Sequence, residues 1–386
     1  MIYLDFNATT PVDPKVLEFM LPLFSQNFGN SSSAQHSLGL AAAQIVNDAR
    51  KNIADLVGAR TASVVFTSGA TESINLAIRG VLPSLTKKKR ILIGATEHKA
   101  VIESAELGAH EYGLKLEEIP VLRNGVINLE ALGSMISDDV ALVAVMHVNN
   151  ETGVINPIEQ VAGIAHSCGA IFFSDLTQSV GKLDVDIQKL KVDLGVCSSH
   201  KLYGPKGVGA LFGDPQIVKS LNPIIVGGGQ EGGLRSGTQN VPGIAGFGAA
   251  AQIAKQRLVK EQEKRYQLRE YFLGKLNLKI PNSLLNSRDA DCVANTINLW
   301  IKGADANAVM TAMPSICVSS GSACQSAVPA PSHVLIAMGV DRTAAGESLR
   351  FSLGNTTTED ELDHAVDELA RAVDYVRTTE GFVMSA

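Results

Sequence analysis

Four short stretches of this chain put reactive side chains where the backbone is free to present them. Cys324 lies in Ser319-Ser320-Gly321-Ser322-Ala323-Cys324-Gln325-Ser326, a run of small residues that leads into Ala327-Val328-Pro329-Ala330-Pro331. Such a run has no apolar periodicity; it reads as a solvent-reachable loop, and a thiol held there can travel to a substrate and carry something away. Ser198-Ser199-His200-Lys201 follows directly on the apolar Leu194-Gly195-Val196-Cys197. A sheltered lysine has a depressed pKa and forms Schiff bases, while Ser198 and His200 beside it can donate to a phosphate. Thr67-Ser68-Gly69-Ala70-Thr71-Glu72 follows Val64-Val65-Phe66 and reads as a glycine turn into a helix whose free N–H groups suit an anion. Asp175 ends the apolar run Ala170-Ile171-Phe172-Phe173-Ser174, where an unpaired carboxylate is costly and calls for a cation. Gln178 extends the same loop, and both residues also suit the plainer role of capping the next turn.

These residues need a scaffold that gathers strand ends. From about Ser63 to Gly213 short β-branched runs alternate with helical patterns, the signature of a mainly parallel sheet covered by helices. Strands are expected at Val64–Phe66, Arg90–Gly94, Leu116–Pro120, Ala141–His147, Ala170–Ser174, Leu194–Ser198 and Val208–Phe212, with helices between them at Glu72–Arg79 and Pro157–Ser167. In an open α/β sheet ligands bind beyond the carboxyl ends of the strands. Ala95-Thr96-Glu97-His98-Lys99 and Val148-Asn149-Asn150-Glu151-Thr152-Gly153 stand at two further such ends. A glycine-rich stretch at Gly227-Gly228-Gly229 precedes a long charged helix, Ala249 to Leu276, that connects to a smaller α+β unit. Strands near Thr296–Ile301, Ile316–Ser319 and Ser348–Ser352 belong to that unit, with helices at Asp305–Ala312, Ser332–Met338 and Thr358–Arg377. The division expected is a large α/β domain over 13–250 and a small domain built from 1–12 and 251–386.

Taken singly, each polar segment has an ordinary structural explanation. Their joint occurrence outlines a pyridoxal 5'-phosphate site, with Asp175 keeping the pyridine nitrogen protonated and Lys201 at the aldehyde. Composition agrees with a soluble enzyme: 45% hydrophobic and 19% charged residues are a globular balance, and a net charge of −6 leaves no basic footprint for nucleic acid. Lys87-Lys88-Lys89-Arg90 reads as a solvated turn. Cysteines at 168, 197, 292, 317 and 324 form no CxxC pair and are odd in number, against a disulfide framework or a zinc site and in favour of a reducing, cytoplasmic setting. The start Met1-Ile2-Tyr3-Leu4-Asp5 lacks the pattern of a signal peptide, and the apolar Val241–Ala254 stretch is broken by glycines, so no membrane association is expected.

In these residues the chain resembles the cysteine desulfurases, pyridoxal phosphate enzymes of the class-V aminotransferase-like fold (fold type I). The resemblance runs through Tyr3-Leu4-Asp5, Asn7-Ala8-Thr9-Thr10, Thr67 to Glu72, Glu97-His98, His147 to Glu151, Asp175 to Gln178, His200-Lys201, Arg235-Ser236-Gly237-Thr238, Ser320 to Cys324 and Arg350-Phe351-Ser352-Leu353-Gly354, nearly the whole chain. It implies that Lys201 carries the cofactor, His98 stacks on its ring, Asp175 pairs with the ring nitrogen and Gln178 bonds the phenolic oxygen. Asn150 would lie beside the cofactor near the substrate. Ala70, Thr71, Ser198 and His200 would hold the phosphate, joined by Thr238 from the neighbouring subunit, so that the protein is a homodimer. Arg350 would clamp the substrate carboxylate; its plain alternative is a surface strand arginine paired with Glu347. L-cysteine would become L-alanine, its sulfur passing to Cys324 as a persulfide, with His98 a candidate base for the thiol. Cys168, Cys197, Cys292 and Cys317 are expected to be packing residues. No metal is implied.

The chain departs from the family at Gly232, where an arginine is common, and it stops soon after its last helix without the longer tail by which housekeeping members dock an iron-sulfur scaffold. Iron-sulfur assembly, tRNA thiolation and DNA sulfur modification are all compatible sulfur destinations. A related pyridoxal enzyme, such as a selenocysteine lyase or an aminotransferase, would share Lys201 and Asp175 without needing Cys324, and a catalytically silent scaffold would need none of them.

Overall fold

A computed structural model describes residues 1–320 and 331–383; Cys324 lies outside the described residues. The chain opens with β1 (Ile2–Tyr3), then forms a central sheet from β2 (Val65–Thr67), β3 (Arg90–Gly94), β4 (Lys115–Ile119), β5 (Val140–Ala144), β6 (Ile171–Asp175), β7 (Leu194–Ser198) and β8 (Gly209–Gly213). Their order is β2-β8-β7-β6-β5-β3-β4. Only β8 runs against its neighbours; the pairs β3–β4, β3–β5, β5–β6 and β6–β7 are parallel. Every residue of β5, β7 and β8 is buried, as a parallel sheet covered on both faces requires, which is why these strands read as unbroken apolar runs. The α/β class expected from the sequence is the one found.

Beyond the sheet come β9 (Ser283–Leu285), β10 (Thr296–Ile301), β11 (Ile316–Cys317) and β12 (Ser348–Ser352). The strands β12-β10-β9 form an antiparallel sheet, and β1 returns from the N-terminus to pair with β11. One hydrophobic cluster joins Val16 and Ala42 to Ala251 on one face of the central sheet, and another, containing Ile74, Ile91 and Val196, lies on the other. A third gathers Leu4 with residues from Leu268 to Val376.

The Val241–Lys279 helix serves both regions: its first turns bury Ile244, Phe247 and Ala251, its last turns Leu268, Phe272 and Leu276. It starts eight residues before the expected Ala249, because Asn240 accepts from the Gly243 N–H and Pro242 occupies the first turn. The glycines that made this stretch look unhelical are close-approach points. A Cβ on Gly248 would lie 2.5 Å from Ala49 Cα on the neighbouring Ser37–Val57 helix. Helices Pro14–Met20, Pro22–Ser25 and Ser37–Val57 precede the first central strand; the sequence reading, which began its element assignment near residue 63, did not place them.

Two glycines of this one helix should respond oppositely to alanine. Gly248→Ala drives a Cβ into Ala49 and should destabilise by about 1–3 kcal/mol. Gly274→Ala, where nothing lies within 4 Å of the added atom, should stabilise by roughly 0.5–1 kcal/mol through helix propensity. Urea unfolding midpoints of the two variants moving in the same direction would contradict this packing.

Candidate active site

Five strands, β2, β3, β5, β6 and β7, end on the same edge of the sheet, and the polar segments picked from the sequence follow them there. The turn Ser199–Lys201 brings Lys201 out of β7, and its Nζ donates to the carbonyls of Asn7 (2.5 Å) and Ala8 (2.7 Å). The N-terminal segment is held against this turn by Thr10, whose N–H and hydroxyl both donate to His200 O at 3.0 Å, and whose Oγ1 accepts from Tyr203 N. His200 Nδ1 lies 3.1 Å from Thr9 Oγ1. Burial, then the charges of Lys201 and Lys206, push the His200 ring down to about 4, so it is neutral at physiological pH.

Asp175 is the last residue of β6 and only 7% exposed. One carboxylate oxygen accepts from Thr177 N at 2.9 Å, the turn-capping role foreseen for it; the other has no hydrogen bond, and the group makes no ion pair among the described residues. Gln178 donates through Nε2 to Asn7 O (3.1 Å) and accepts at Oε1 from Lys182 Nζ (2.5 Å). His98 caps the Lys99–Tyr112 helix, Nδ1 accepting from Ala100 N at 3.1 Å. A ring nitrogen that accepts carries no proton, so the neutral ring keeps its proton on Nε2. Burial pulls the His98 pKa down; Asp175 opposes this and Lys201 reinforces it, so the fields of both groups meet at this ring.

Arg350 projects from β12 and is 6% exposed. Its Nη2 pairs with Asp5 at 2.6 Å, its Nη1 donates to Asn150 O at 3.0 Å, and its Nε is buried without a hydrogen-bond partner among the described residues. The alternative of a surface pair with Glu347 does not hold, because Glu347 accepts from Trp300 Nε1 instead. Ala70 and Thr71 open the Ala70–Val81 helix, whose cap position, Gly69, supplies no side chain, and nothing lies within 4 Å of a Cβ placed there. Glu72 is turned away, accepting from Ser68 N and Arg235 Nε; burial works to raise its pKa, but these bonds bring it below the usual value. Ser198 is buried at the end of β7. Thr238 is exposed, on the glycine-rich segment that docks on its own chain through Arg235 to Glu72 and through Glu231 to Arg50 and Phe66 N. Gly232 on that segment is exposed, with φ of 65°.

The structure thus gathers Lys201, His200, Gln178, Asn150 and Arg350 around Asn7 and Asp5, with Asp175 and His98 on the same sheet edge. Sequence reasoning overlooked three members of this group. Asp5 is the ion partner of Arg350, Asn7 bonds to both lysines, and Lys182 is a buried lysine. Asn7 stood in a quoted motif, and Lys182 sits between Val180-Gly181 and Leu183, an apolar setting that hints at burial. Cys197 is inert, its thiol pushed far up by burial and then by Asp175. Cys292 is raised by burial and donates to Ser287 Oγ, and Cys168 donates to Ala165 O.

These residues fit pyridoxal phosphate. A buried carboxylate without a cation suits a protonated ring nitrogen, and an uncapped helix start suits a phosphate.

Comparison with known proteins points the same way. The aminotransferase class-V family model matches residues 2–365. A cysteine desulfurase IscS of Rickettsia felis is 42% identical over 377 residues, covering 97% of this chain and 92% of that protein. A cysteine desulfurase of Frankia sp. is 46% identical, covering 98% of this chain and 92% of that protein. Among solved structures, a NifS-like protein superposes with a TM-score of 0.89 at 34% identity, over 97% of this chain and 99% of the other. The structure described as SspA in complex with cysteine gives 0.82 at 34% identity, over 92% and 99% of the two chains. With its lysine, aspartate and histidine at the strand ends and relatives matched over nearly their full length, this chain belongs to the class-V aminotransferases and, among them, to the cysteine desulfurase family.

Proposed function

We propose that this chain takes the sulfur of L-cysteine onto Cys324 as a persulfide, releases L-alanine, and passes the sulfur to a thiol-bearing acceptor protein. The observation that carries the reading is Asp175, a buried carboxylate with no ion pair among the described residues, on the strand edge that also presents Lys201. Lys201 would hold pyridoxal phosphate; Asp175, Gln178, Asn150 and His98 would line its ring; and Ala70, Thr71, Ser198 and His200 would bind its phosphate. When bound, the cofactor supplies an electron sink that weakens the substrate Cα–H and, through it, the C–S bond.

The rest is the work of side chains. Arg350 fixes the substrate carboxylate, for which a planar donor with an unpartnered Nε is suited, and Asp5 fixes Arg350. Lys201 takes the α-proton at Nζ and returns it. Asp175 keeps the ring nitrogen protonated throughout. His98, holding a proton on Nε2 and an acceptor pair on Nδ1, is set to donate at Nε2. The Cys324 thiolate then attacks the substrate sulfur: an S–S bond forms, the C–S bond breaks, and its electron pair goes to the substrate β-carbon, which takes up a proton on the way to alanine.

The relative described as bound to cysteine supports the substrate, and an iron-sulfur scaffold protein is one acceptor compatible with this chemistry. A homodimer is supported by the exposure of Thr238 and of Leu17, Phe19, Leu21, Phe24 and Phe28. These large apolar side chains are 47–65% exposed on and beside the first two helices, a face that a second copy would cover. The free thiols of Cys168, Cys197, Cys292 and Cys317 suit the reducing cytoplasm. No helix among the described residues is long and apolar enough to cross a membrane.

Cys324→Ala is expected to keep the cofactor's visible spectrum and its change on adding cysteine while sulfide release under reducing conditions is abolished; undiminished release would remove Cys324 from the mechanism. Lys201→Ala should lack the visible band of the lysine-bound cofactor, and a retained band would assign the linkage to another lysine. In light scattering the protein should have twice the chain mass, and Phe24→Glu should shift it toward the single-chain mass; a wild-type protein of single-chain mass would exclude the dimer.

A further inference from the structure

We infer that Lys182 is a positioning residue for the reaction: its buried side-chain nitrogen, a donor to Gln178 Oε1, dictates which end of the Gln178 side-chain amide faces the cofactor. The inference rests on the proposed reading, in which Gln178 addresses the cofactor's phenolic oxygen.

A carboxamide is nearly symmetric in shape, so the partners on its far side decide whether it offers a donor or an acceptor. The phenolic oxygen of pyridoxal phosphate is an anionic acceptor, and only the NH2 end of Gln178 can stabilise it. Two contacts set that choice. Lys182 Nζ donates to Gln178 Oε1 at 2.5 Å, and Gln178 Nε2 donates to the carbonyl of Asn7 at 3.1 Å, the carbonyl on which Lys201 Nζ also rests. One N–H of Nε2 is left for an outside acceptor. The Asn7 carbonyl can only accept and Lys182 donates whether charged or neutral, so a turned-over amide would set its oxygen against a carbonyl and give up the Lys182 hydrogen bond.

The same nitrogen orients a second amide. Lys182 Nζ donates to Asn7 Oδ1 at 3.0 Å, where Asn295 Nδ2 also donates, and this leaves Asn7 Nδ2 to donate to Thr296 Oγ1 and Asn150 O. Lys182 lies on the loop after β6, four residues beyond Gln178, and is 9% exposed. A buried polar nitrogen is costly unless it is hydrogen-bonded, and both of these bonds go to the amides it orients. Burial first, then Arg265 from the Val241–Lys279 helix, Lys201 from the end of β7 and Arg350 from β12, depress its pKa. Glu261, on the same helix, faces Arg265, and Lys182 makes no ion pair among the described residues. Its polar partners from every packed segment are therefore neutral amides: Asn7 and Gln178.

The sign of the effect follows. An N–H donated to the phenolate favours loss of the proton held at the lysine–cofactor linkage, so removing the donor must raise the pH at which the visible absorption changes. The test is a pH titration of that absorption in the holoenzyme, beside cofactor affinity measured on the apoprotein by fluorescence. Gln178→Leu should raise the midpoint by about one unit, a tenfold change in proton affinity typical of one charge-assisted hydrogen bond. Lys182→Met should match it, and the double variant should shift no further than either single one. Lys182→Gln, which keeps a donor and is the variant to use should the methionine protein be too unstable to purify, should stay near the wild-type midpoint. A midpoint unmoved in Lys182→Met while Gln178→Leu moves it, additive shifts in the double variant, or Lys182→Gln shifted as far as Gln178→Leu would each overturn the inference. Failure of the proposed function is a separate result: wild-type protein would then show no visible band with pyridoxal phosphate.

Discussion

The site depends on the complete use of one side chain's hydrogen-bonding capacity. Asn7 donates its N–H to Ser352 Oγ and its amide hydrogens to Thr296 Oγ1 and Asn150 O; it accepts at Oδ1 from Lys182 and Asn295, and at its carbonyl from Gln178 and Lys201. Three regions far apart in sequence thereby share one residue: the strand ends of the central sheet, the antiparallel sheet containing β10 and β12, and the N-terminal segment. Around it, β1 pairs with β11, and Asp5 fixes Arg350. Buried polar groups are tolerated when every one is satisfied, and a network of this kind permits a single arrangement.

That network is also electrically biased. Lys182, Lys201, Arg265 and Arg350 converge on a region where Asp5 pairs with Arg350, and Arg265 Nη1 and Arg350 Nε are buried without hydrogen-bond partners among the described residues. Histidines 147 and 200 are held neutral, both pushed down to about 4 by burial. Such a concentration of positive charge costs stability in the empty protein and favours anions: a phosphate at the uncapped helix start and a carboxylate at Arg350.

Much of this was legible in the chain. Strands of the central sheet buried on both faces write themselves as apolar runs and those of the antiparallel sheet as alternating ones, so β3, β7, β10 and β12 lie where the sequence put them, and the residues after β3 and β7 reached the shared edge. The helix that begins at Val241 was harder, because its glycines, needed for contact with Ala49, imitate a loop. Partners were harder still. Glu347 is near Arg350 in sequence while Asp5 is near it in space, and Lys182 looks like any surface lysine until its loop folds beneath the N-terminal segment. No local pattern encodes which amide a buried lysine will orient.

The central claim is that sulfur leaves cysteine by way of one thiol. The most direct measurement is mass spectrometry of the cofactor-loaded protein after limited L-cysteine without reductant, with alanine quantified in the same sample. The account predicts the added mass of one sulfur atom on the peptide carrying Cys324, matched by alanine. Alanine formed while that peptide stays unmodified and the sulfur appears on Cys168, Cys197, Cys292 or Cys317, or free in solution, would contradict it.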